Sequence, residues 1–246
     1  LEEGGRGRGT GSRNERLERK GKQGREMMQK GKVREKGGTG SGADYKPCRQ
    51  TGECGSRGTT SNPIDWKTGR QVQLLSQGET IAWYLLRWDD GNLDVREQFP
   101  LELEETQKIA EAYGIKHPAD RSGNPVVMTT DFLVTRANGE VAISVKNSME
   151  AFKTSKRLVE KAYIEKMYWK KQGVPFCLFT KDEMNRAMAD NIRNVVAFYH
   201  ADFFPDEISL LKKLIARKLI AVDMTEPLNF RDLLHEHKGE VKKWMK

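Results

Sequence analysis

Apolar residues recur at helical spacing along several stretches of the chain and alternate with polar residues along others. Ser76 and Glu79 have the spacing of a helical capping box, and the apolar positions that follow lie on one helix face as far as Asp89-Asp90-Gly91. The same periodicity predicts further helices over 102–113, 149–171, 183–199 and 207–217. Runs rich in β-branched and aromatic residues predict strands over 93–99, 126–135, 141–147, 176–180 and 219–224. This alternation of strands and helices is typical of an α/β fold.

Two of the predicted strands flank Asn138-Gly139, a dipeptide typical of a two-residue hairpin loop. With these two residues as the loop, the register places Asp131 directly opposite Lys146, with Cβ atoms about 5 Å apart. Ser144 shares the face of Lys146, because side chains alternate between the two faces of a strand. The other face carries the residues expected in the core: Phe132, Val134, Ile143 and Val145.

Composition separates an N-terminal region from the rest. Residues 1–60 are rich in Gly, Arg, Lys, Ser and Thr, and residues 1–40 hold twelve Lys/Arg against six Glu, most of the formal net charge of +8. We expect 1–60 to be a largely disordered basic tail and loop, 61–200 the main domain and 201–246 a short C-terminal unit. A basic tail favours attraction to nucleic acid, although a solvated leader without a role has the same composition. Met27-Met28 is a candidate start of the natural chain.

Several classes of protein are not expected. The chain has no apolar run of the roughly 20 residues that a membrane-spanning helix needs, and no apolar signal segment near its start. Cys48, Cys54 and Cys177 are scattered, which argues against a disulfide framework and favours a reducing, cytoplasmic setting. Neither the first two cysteines nor the pair His235 and His237 has the partners of a zinc site.

An acidic side chain beside a lysine suits phosphodiester hydrolysis. Carboxylates hold a divalent cation that polarises the phosphate and lowers the pKa of bound water. A lysine such as Lys146 helps to deprotonate the nucleophile or neutralises developing negative charge. Glu79 is the candidate second carboxylate beside Asp131, and oxygen ligands favour Mg²⁺, with Mn²⁺ as a substitute. Pattern alone favours plainer roles for each residue: a helix-capping acid for Glu79, and for Asp131 and Lys146 a surface ion pair that contributes about 0.5 kcal/mol.

Longer strings of residues add a more specific signal. They are Lys67-Thr68-Gly69-Arg70, Leu74-Leu75-Ser76, Arg96-Glu97-Gln98-Phe99-Pro100-Leu101, Gly114-Ile115-Lys116-His117-Pro118, Met128-Thr129-Thr130-Asp131-Phe132-Leu133-Val134, Tyr168-Trp169 and Phe179-Thr180. In this order they resemble the TnsA endonucleases of Tn-seven-like transposons, over a region from about Lys30 to Tyr199.

The resemblance implies a restriction-endonuclease-like fold for 61–200, a mixed sheet flanked by helices. It assigns catalytic roles to Glu79, Asp131 and Lys146, and metal binding to Glu79 and Asp131, with Ser144 and the Val145 carbonyl as further ligands. Ser144 departs from the family pattern, which often has Gln, and from restriction-type enzymes, which have Asp or Glu. A serine hydroxyl is a weaker metal ligand than a carboxylate, so the number and affinity of bound metals depend on this position.

The resemblance also implies a function. A TnsA-like subunit of a heteromeric transposase cuts the non-transferred strand at the 5′ transposon ends in a Mg²⁺-dependent reaction. Its expected partners are double-stranded DNA at those ends, a TnsB-like transposase and a TnsC-like ATPase regulator. Residues 201–246 are expected to form an abbreviated winged-helix-like unit, and their shortness weakens the expectation of TnsC binding. The alternatives are a stand-alone restriction- or repair-type nuclease and a catalytically weak DNA-binding or bridging subunit.

Five residues are candidates for DNA contact. Lys116 and His117 follow a predicted helix end, where they contact phosphate or belong to a loop that positions the hairpin. Lys153, Lys156 and Arg157 form a basic cluster just after the hairpin, for which we favour phosphate contact. The tryptophans in helical patterns are expected to pack in the core rather than to stack on bases: Trp83, Trp88 and Trp169.

Overall fold

A mixed sheet of four strands forms the centre of the fold, which a computed structural model describes for residues 37–52 and 59–245. The strands lie in the order β1 (Asn92–Pro100), β2 (Thr129–Arg136), β3 (Gly139–Lys146) and β4 (Phe176–Thr180). β1, β2 and β3 are antiparallel neighbours, whereas β4 runs parallel to β3. The predicted mixed α/β sheet is therefore confirmed.

Helices flank this sheet, and several of them begin at a polar side chain that caps the helix. They are α1 (Gln77–Trp88), α2 (Leu103–Ala112), α3 (Glu150–Thr154), α4 (Lys156–Lys171), α5 (Arg186–Val196), α6 (Glu207–Ala216), α7 (Phe230–Glu236) and α8 (Lys238–Lys243). The single helix predicted over 149–171 is two helices, because the Ser155 side chain accepts a hydrogen bond from the Leu158 amide and starts α4. The helix predicted over 183–199 begins later, at α5, after a 3₁₀ turn over Lys181–Glu183.

Two apolar layers cover the two faces of the sheet. Phe132, Val134 and Ile143 pack on one face in a large cluster with residues of α1, α5 and α6. Leu133 and Ala142 lie on the other face in a smaller cluster with residues of α4. The predicted core face of the hairpin is thus confirmed. Trp83 and Trp169 are buried in these two clusters, and Trp88 is partly buried against the first, as predicted.

The hairpin register differs from the predicted one. Arg136 pairs with Gly139, so the loop is Ala137-Asn138, one residue earlier than expected. A loop at Asn138-Gly139 requires positive φ at both residues, and here only Gly139 has it, at 129°. The observed register places Asp131 opposite Ser144 rather than Lys146. The partner moves by two positions, so every side chain keeps its predicted face.

The C-terminal unit also differs from expectation. Within described residues 205–245 there are three helices and no strand, so the strand predicted over 219–224 is wrong and the winged-helix-like unit is not confirmed. α6 ends in a turn in which Lys218 has φ 57° and the Leu219 amide donates to the Leu214 carbonyl. Two apolar residues of this stretch, Ile220 and Met224, are each buried in the main core cluster without forming a strand.

Part of the predicted tail is packed against the sheet. Tyr45 is buried, and its hydroxyl donates to the Glu97 carbonyl at 2.9 Å. The Gly42 amide donates to the Asp94 carboxylate and the Cys48 amide to the Gln98 carbonyl, so residues 42–48 contact β1 rather than forming a loose tail. Residues 1–36 and 53–58 of the predicted tail lie outside the described residues. No helix in the described part is both long and apolar enough to cross a membrane.

Candidate active site

Glu79 is buried at the N-terminus of α1, where its carboxylate closes the helix end. Its amide donates to the Ser76 hydroxyl at 3.1 Å, and the Ser76 hydroxyl donates to Glu79 Oε1 at 2.9 Å. The other carboxylate oxygen accepts from the Leu75 amide at 2.9 Å and from Gln98 Nε2 at 3.0 Å. Glu79 is therefore the capping acid that the pattern predicted. Its contact with Gln98 also joins it to β1 of the sheet.

Gln98 links this helix end to the hairpin. It lies in β1 between Glu97, which pairs with Phe132, and Phe99, which pairs with Thr130, and so stands opposite Asp131. Its φ of 49° is rare for a residue with a side chain, and such strain is found at sites that hold a required geometry. Gln98 was not predicted as a site residue, although it belongs to one of the recognised strings.

α1 also approaches the end of β3 closely. A Cβ atom at Gly78 would lie 3.1 Å from Val145 Cγ1 and 3.1 Å from Lys181 Cε. A Cβ at this residue beside Glu79 would require Val145 and Lys181 to move by a few tenths of an ångström. The close approach and the Gln98 bond together bring Glu79 to the edge of the sheet that carries Asp131, as the assignment of a shared site requires.

Asp131 marks the point where the β2–β3 ladder opens. The last backbone pair is Phe132 with Ile143, and the Val145 amide donates instead to Asp131 Oδ2 at 2.6 Å. The Ser144 hydroxyl also lies 3.4 Å from this oxygen. The carboxylate therefore replaces a strand hydrogen bond and faces the gap between the strand ends.

Lys146 reaches the same carboxylate diagonally. Its Nζ lies 3.6 Å from Asp131 Oδ2 and donates to Ser144 Oγ at 2.6 Å and to the Val145 carbonyl at 3.1 Å. Burial lowers the pKa of Lys146, but the nearby carboxylates, above all Asp131, outweigh this and leave it above its ordinary value. Lys146 is thus an ammonium cation at neutral pH. Its predicted pairing with Asp131 is present, although not through direct cross-strand register.

Glu165 on α4 is a further acidic residue in the site, and the sequence analysis missed it. The Ser144 hydroxyl lies 3.1 Å from Glu165 Oε2, while Oε1 is buried without a hydrogen-bond partner in the described residues. Burial raises the pKa of Glu165 to about 7, with Asp131 adding to the effect and Lys146 opposing it. Its signal in the sequence is an acid on the apolar face of a helix, the face that also carries Tyr168 and Trp169.

The electrostatics of Glu79 point to a site for a cation. Burial, together with the negative charge of Asp131, raises the pKa of Glu79 to about 7. Two carboxylates that repel each other in this way are stabilised by a cation between them. Among the described residues, no group of three or more His, Cys, Asp and Glu side chains has a metal-binding arrangement. The donor set offered is two carboxylates with neutral oxygens.

The predicted DNA-contact residues divide into paired and unpaired side chains. His117 Nδ1 donates to the Pro118 carbonyl, and its Nε2 lies 3.0 Å from Thr106 Oγ1, so both ring nitrogens hold the loop. Lys153, Lys156 and Arg157 form ion pairs with glutamates of their own segments, Glu150 and Glu160. Lys116 is exposed, and only its backbone carbonyl is engaged, by Arg157.

Two comparisons with known proteins agree on a relationship. Residues 90–181 match the family described as TnsA-like endonuclease N terminal, a segment that contains Asp131, Ser144, Lys146 and Glu165 but not Glu79. The chain is also 39% identical over 164 residues to transposon Tn7 transposition protein TnsA of Escherichia coli. That alignment covers 65% of this chain and 59% of the relative, so the chain spans about three-fifths of the relative's length. The resemblance to TnsA endonucleases is confirmed.

Proposed function

We propose that this chain is a TnsA-like DNA endonuclease, the subunit of a heteromeric transposase that cuts the non-transferred strand at the 5′ transposon ends. One observation carries the proposal: Glu79, Asp131 and Lys146 converge at one edge of the sheet, within the confirmed resemblance or directly before it. The mixed sheet with an acidic helix end beside an open hairpin supports a restriction-endonuclease-like core.

In the proposed reaction Glu79 and Asp131 hold a divalent cation, Mg²⁺ or Mn²⁺ in its place. The raised pKa of Glu79 supports this, because a cation relieves the repulsion that causes part of the shift. When bound, the metal polarises the scissile phosphate and lowers the pKa of bound water. The Val145 carbonyl and the Ser144 hydroxyl are further candidate ligands, but both already accept hydrogen bonds from Lys146.

Lys146 and Ser144 have separate roles in this proposal. The neighbouring carboxylates raise the pKa of Lys146, which favours the ammonium form that neutralises charge developing on the phosphate; the alternative role is help in deprotonating the nucleophile. Ser144 lies between Lys146, Asp131 and Glu165 and orients the ammonium group through the 2.6 Å contact. A serine at this position therefore supports the lysine, whether or not it also binds metal.

A reconstituted end-cleavage reaction tests the proposal. It contains transposon-end DNA, the cognate TnsB-like transposase, the TnsC-like ATPase and Mg²⁺, and it compares the natural chain with Asp131→Ala. We expect 5′-strand cutting by the natural chain and a loss of at least about 100-fold in the variant, since a metal ligand is removed. Equal cutting by both proteins contradicts the assignment.

Ser144, a weaker metal ligand than a carboxylate, favours a second candidate, a catalytically weak DNA-binding or bridging subunit. The same reaction separates the two, because a bridging subunit supports assembly on the DNA ends without 5′ cutting. Omitting the partner proteins tests the stand-alone nuclease, which cuts DNA without them.

A further inference from the structure

The cationic residues near the site differ in whether an acidic partner neutralises them. Lys153, Lys156 and Arg157, which follow the hairpin in sequence, all pair with glutamates of α3 or α4. Lys161 lies one turn further along α4 and is exposed, with no ion pair or hydrogen bond among the described residues. Its charge is therefore available to a ligand from solution.

The position of Lys161 is fixed by the helix that carries Glu165. Residues four apart in a helix lie on the same side, so Lys161 stands one turn before Glu165, whose carboxylate contacts Ser144 in the site. Its pKa is lowered by partial burial and by the positive charges of Arg157, Arg49 and Lys146. Lys161 consequently lies within electrostatic reach of the catalytic lysine.

Arg49 reaches the same place from the packed N-terminal segment. Its guanidinium donates to the Val127 carbonyl at 3.1 Å, two residues before β2 and four before Asp131. It has no acidic partner among the residues that the structure describes. Arg49 and Lys161, from segments far apart in sequence, thus bring unneutralised positive charge to the rim of one site.

Like charges held together raise each other's free energy unless an anion binds between them. Resting on the proposed function, we propose that Arg49 and Lys161 form a clamp for a DNA backbone phosphate next to the scissile one. A phosphodiester oxygen accepts hydrogen bonds from both a guanidinium and an ammonium group. The clamp fixes the register of the strand, so that the scissile phosphate lies at Asp131 and Lys146.

Charge-reversal variants test the clamp in the full chain. We expect Arg49→Glu and Lys161→Glu each to weaken binding of transposon-end DNA by roughly 10-fold or more and to reduce the salt slope of binding by about 1. In the reconstituted reaction the DNA concentration for half-maximal cutting rises, and the maximal rate falls as well, because the scissile phosphate is no longer held in register. Lys161→Arg retains binding. The matched control is Lys170→Glu, the same change at an exposed position on the opposite side of α4.

Substrates with a single neutral methylphosphonate identify the phosphate. At one flanking position the neutral group weakens DNA binding by the natural chain. At the same position it does not weaken binding by Lys161→Glu, because that variant has already lost the contact. Two results overturn the clamp. One is that the losses of affinity caused by the neutral group and by Lys161→Glu add at every flanking position. The other is that Arg49→Glu and Lys161→Glu bind DNA as well as Lys170→Glu. A natural chain that binds DNA with this coupling but does not cut it contradicts the proposed nuclease and leaves the clamp supported. A natural chain with no affinity for DNA contradicts both.

Discussion

Glu79 serves two purposes with one carboxylate. It caps α1 through Ser76 and Leu75, and it faces Asp131 across the site with a pKa raised to about 7. The capping role was predictable from four residues of sequence. The proposed catalytic role came only from the resemblance, because it depends on the Gln98 contact and on the approach of Gly78 to β3, which no local pattern contains.

Replacing Glu79 by Gln keeps the shape of the cap and removes the charge. We expect Glu79→Gln to lose cutting by about 100-fold or more, because a ligand of the proposed metal is lost. Binding of Mn²⁺, measured by titration calorimetry, weakens in parallel. In the natural chain, Mn²⁺ affinity falls as the pH drops below about 7, since the carboxylate must lose its proton to bind. A metal affinity that is unchanged in the variant contradicts this prediction.

Glu165 predicts a pH dependence of stability in the metal-free protein. Its pKa, about 7 when folded, lies above its ordinary value of 4.5, so the folded state binds more protons between these values. Stability from this group is therefore present at low pH and lost as the pH rises towards 7 and above. We expect Glu165→Gln to remove this loss, up to roughly 3 kcal/mol. Urea unfolding of both proteins at pH 5 and pH 8 measures it, and equal pH dependence argues against the prediction.

At the scale of elements, the position of the β2–β3 loop was predicted wrongly, but the sheet face of each hairpin side chain was predicted correctly. The loop lies one residue earlier than Asn138-Gly139, yet the faces of Asp131 and Lys146 are as predicted, because the register moved by an even number of positions. Alternation along a strand is a local property. The choice of turn also depends on how the strand ends fit their neighbours, and the sequence does not encode that locally.

The contact between α1 and β3 depends on Gly78. A side chain there meets Val145 and Lys181 at 3.1 Å, so we expect Gly78→Val to move Glu79 away from Asp131 and to lower the free energy of unfolding by about 1–3 kcal/mol. We expect the rate of DNA cutting by Gly78→Val to fall by more than the fraction of unfolded protein accounts for. Denaturant unfolding and end cleavage are measured for Gly78→Val and for a control, Gln77→Val, which introduces the same side chain at the exposed neighbouring position. Equal behaviour of the two variants refutes the argument.

Across the whole molecule, buried ion pairs join segments that the sequence analysis treated separately. Arg70 donates to both carboxylate oxygens of Glu97, at 2.6 and 2.7 Å, and Tyr45 donates to the carbonyl of the same residue. A second buried pair joins Arg87 to Asp65. The α/β class was predictable from periodicity, whereas these long-range pairs and the helical C-terminal unit depend on tertiary packing.

Removing Arg70 leaves the buried Glu97 carboxylate without its charged partner. We expect Arg70→Ala to lower the free energy of unfolding by about 3–5 kcal/mol, measured by urea denaturation. The control is Arg231→Ala, an exposed arginine of α7, which has only a small effect. A loss below about 1 kcal/mol for Arg70→Ala contradicts the prediction.

The N-terminal segment contacts β1, an edge strand of the sheet, through Gly42, Tyr45 and Cys48. An uncovered edge presents free amides and carbonyls that pair with other chains. A fragment beginning at residue 60 keeps all four strands but leaves this edge open. Such a fragment is expected to aggregate as its concentration rises, and to become soluble again when a peptide of residues 37–52 is added.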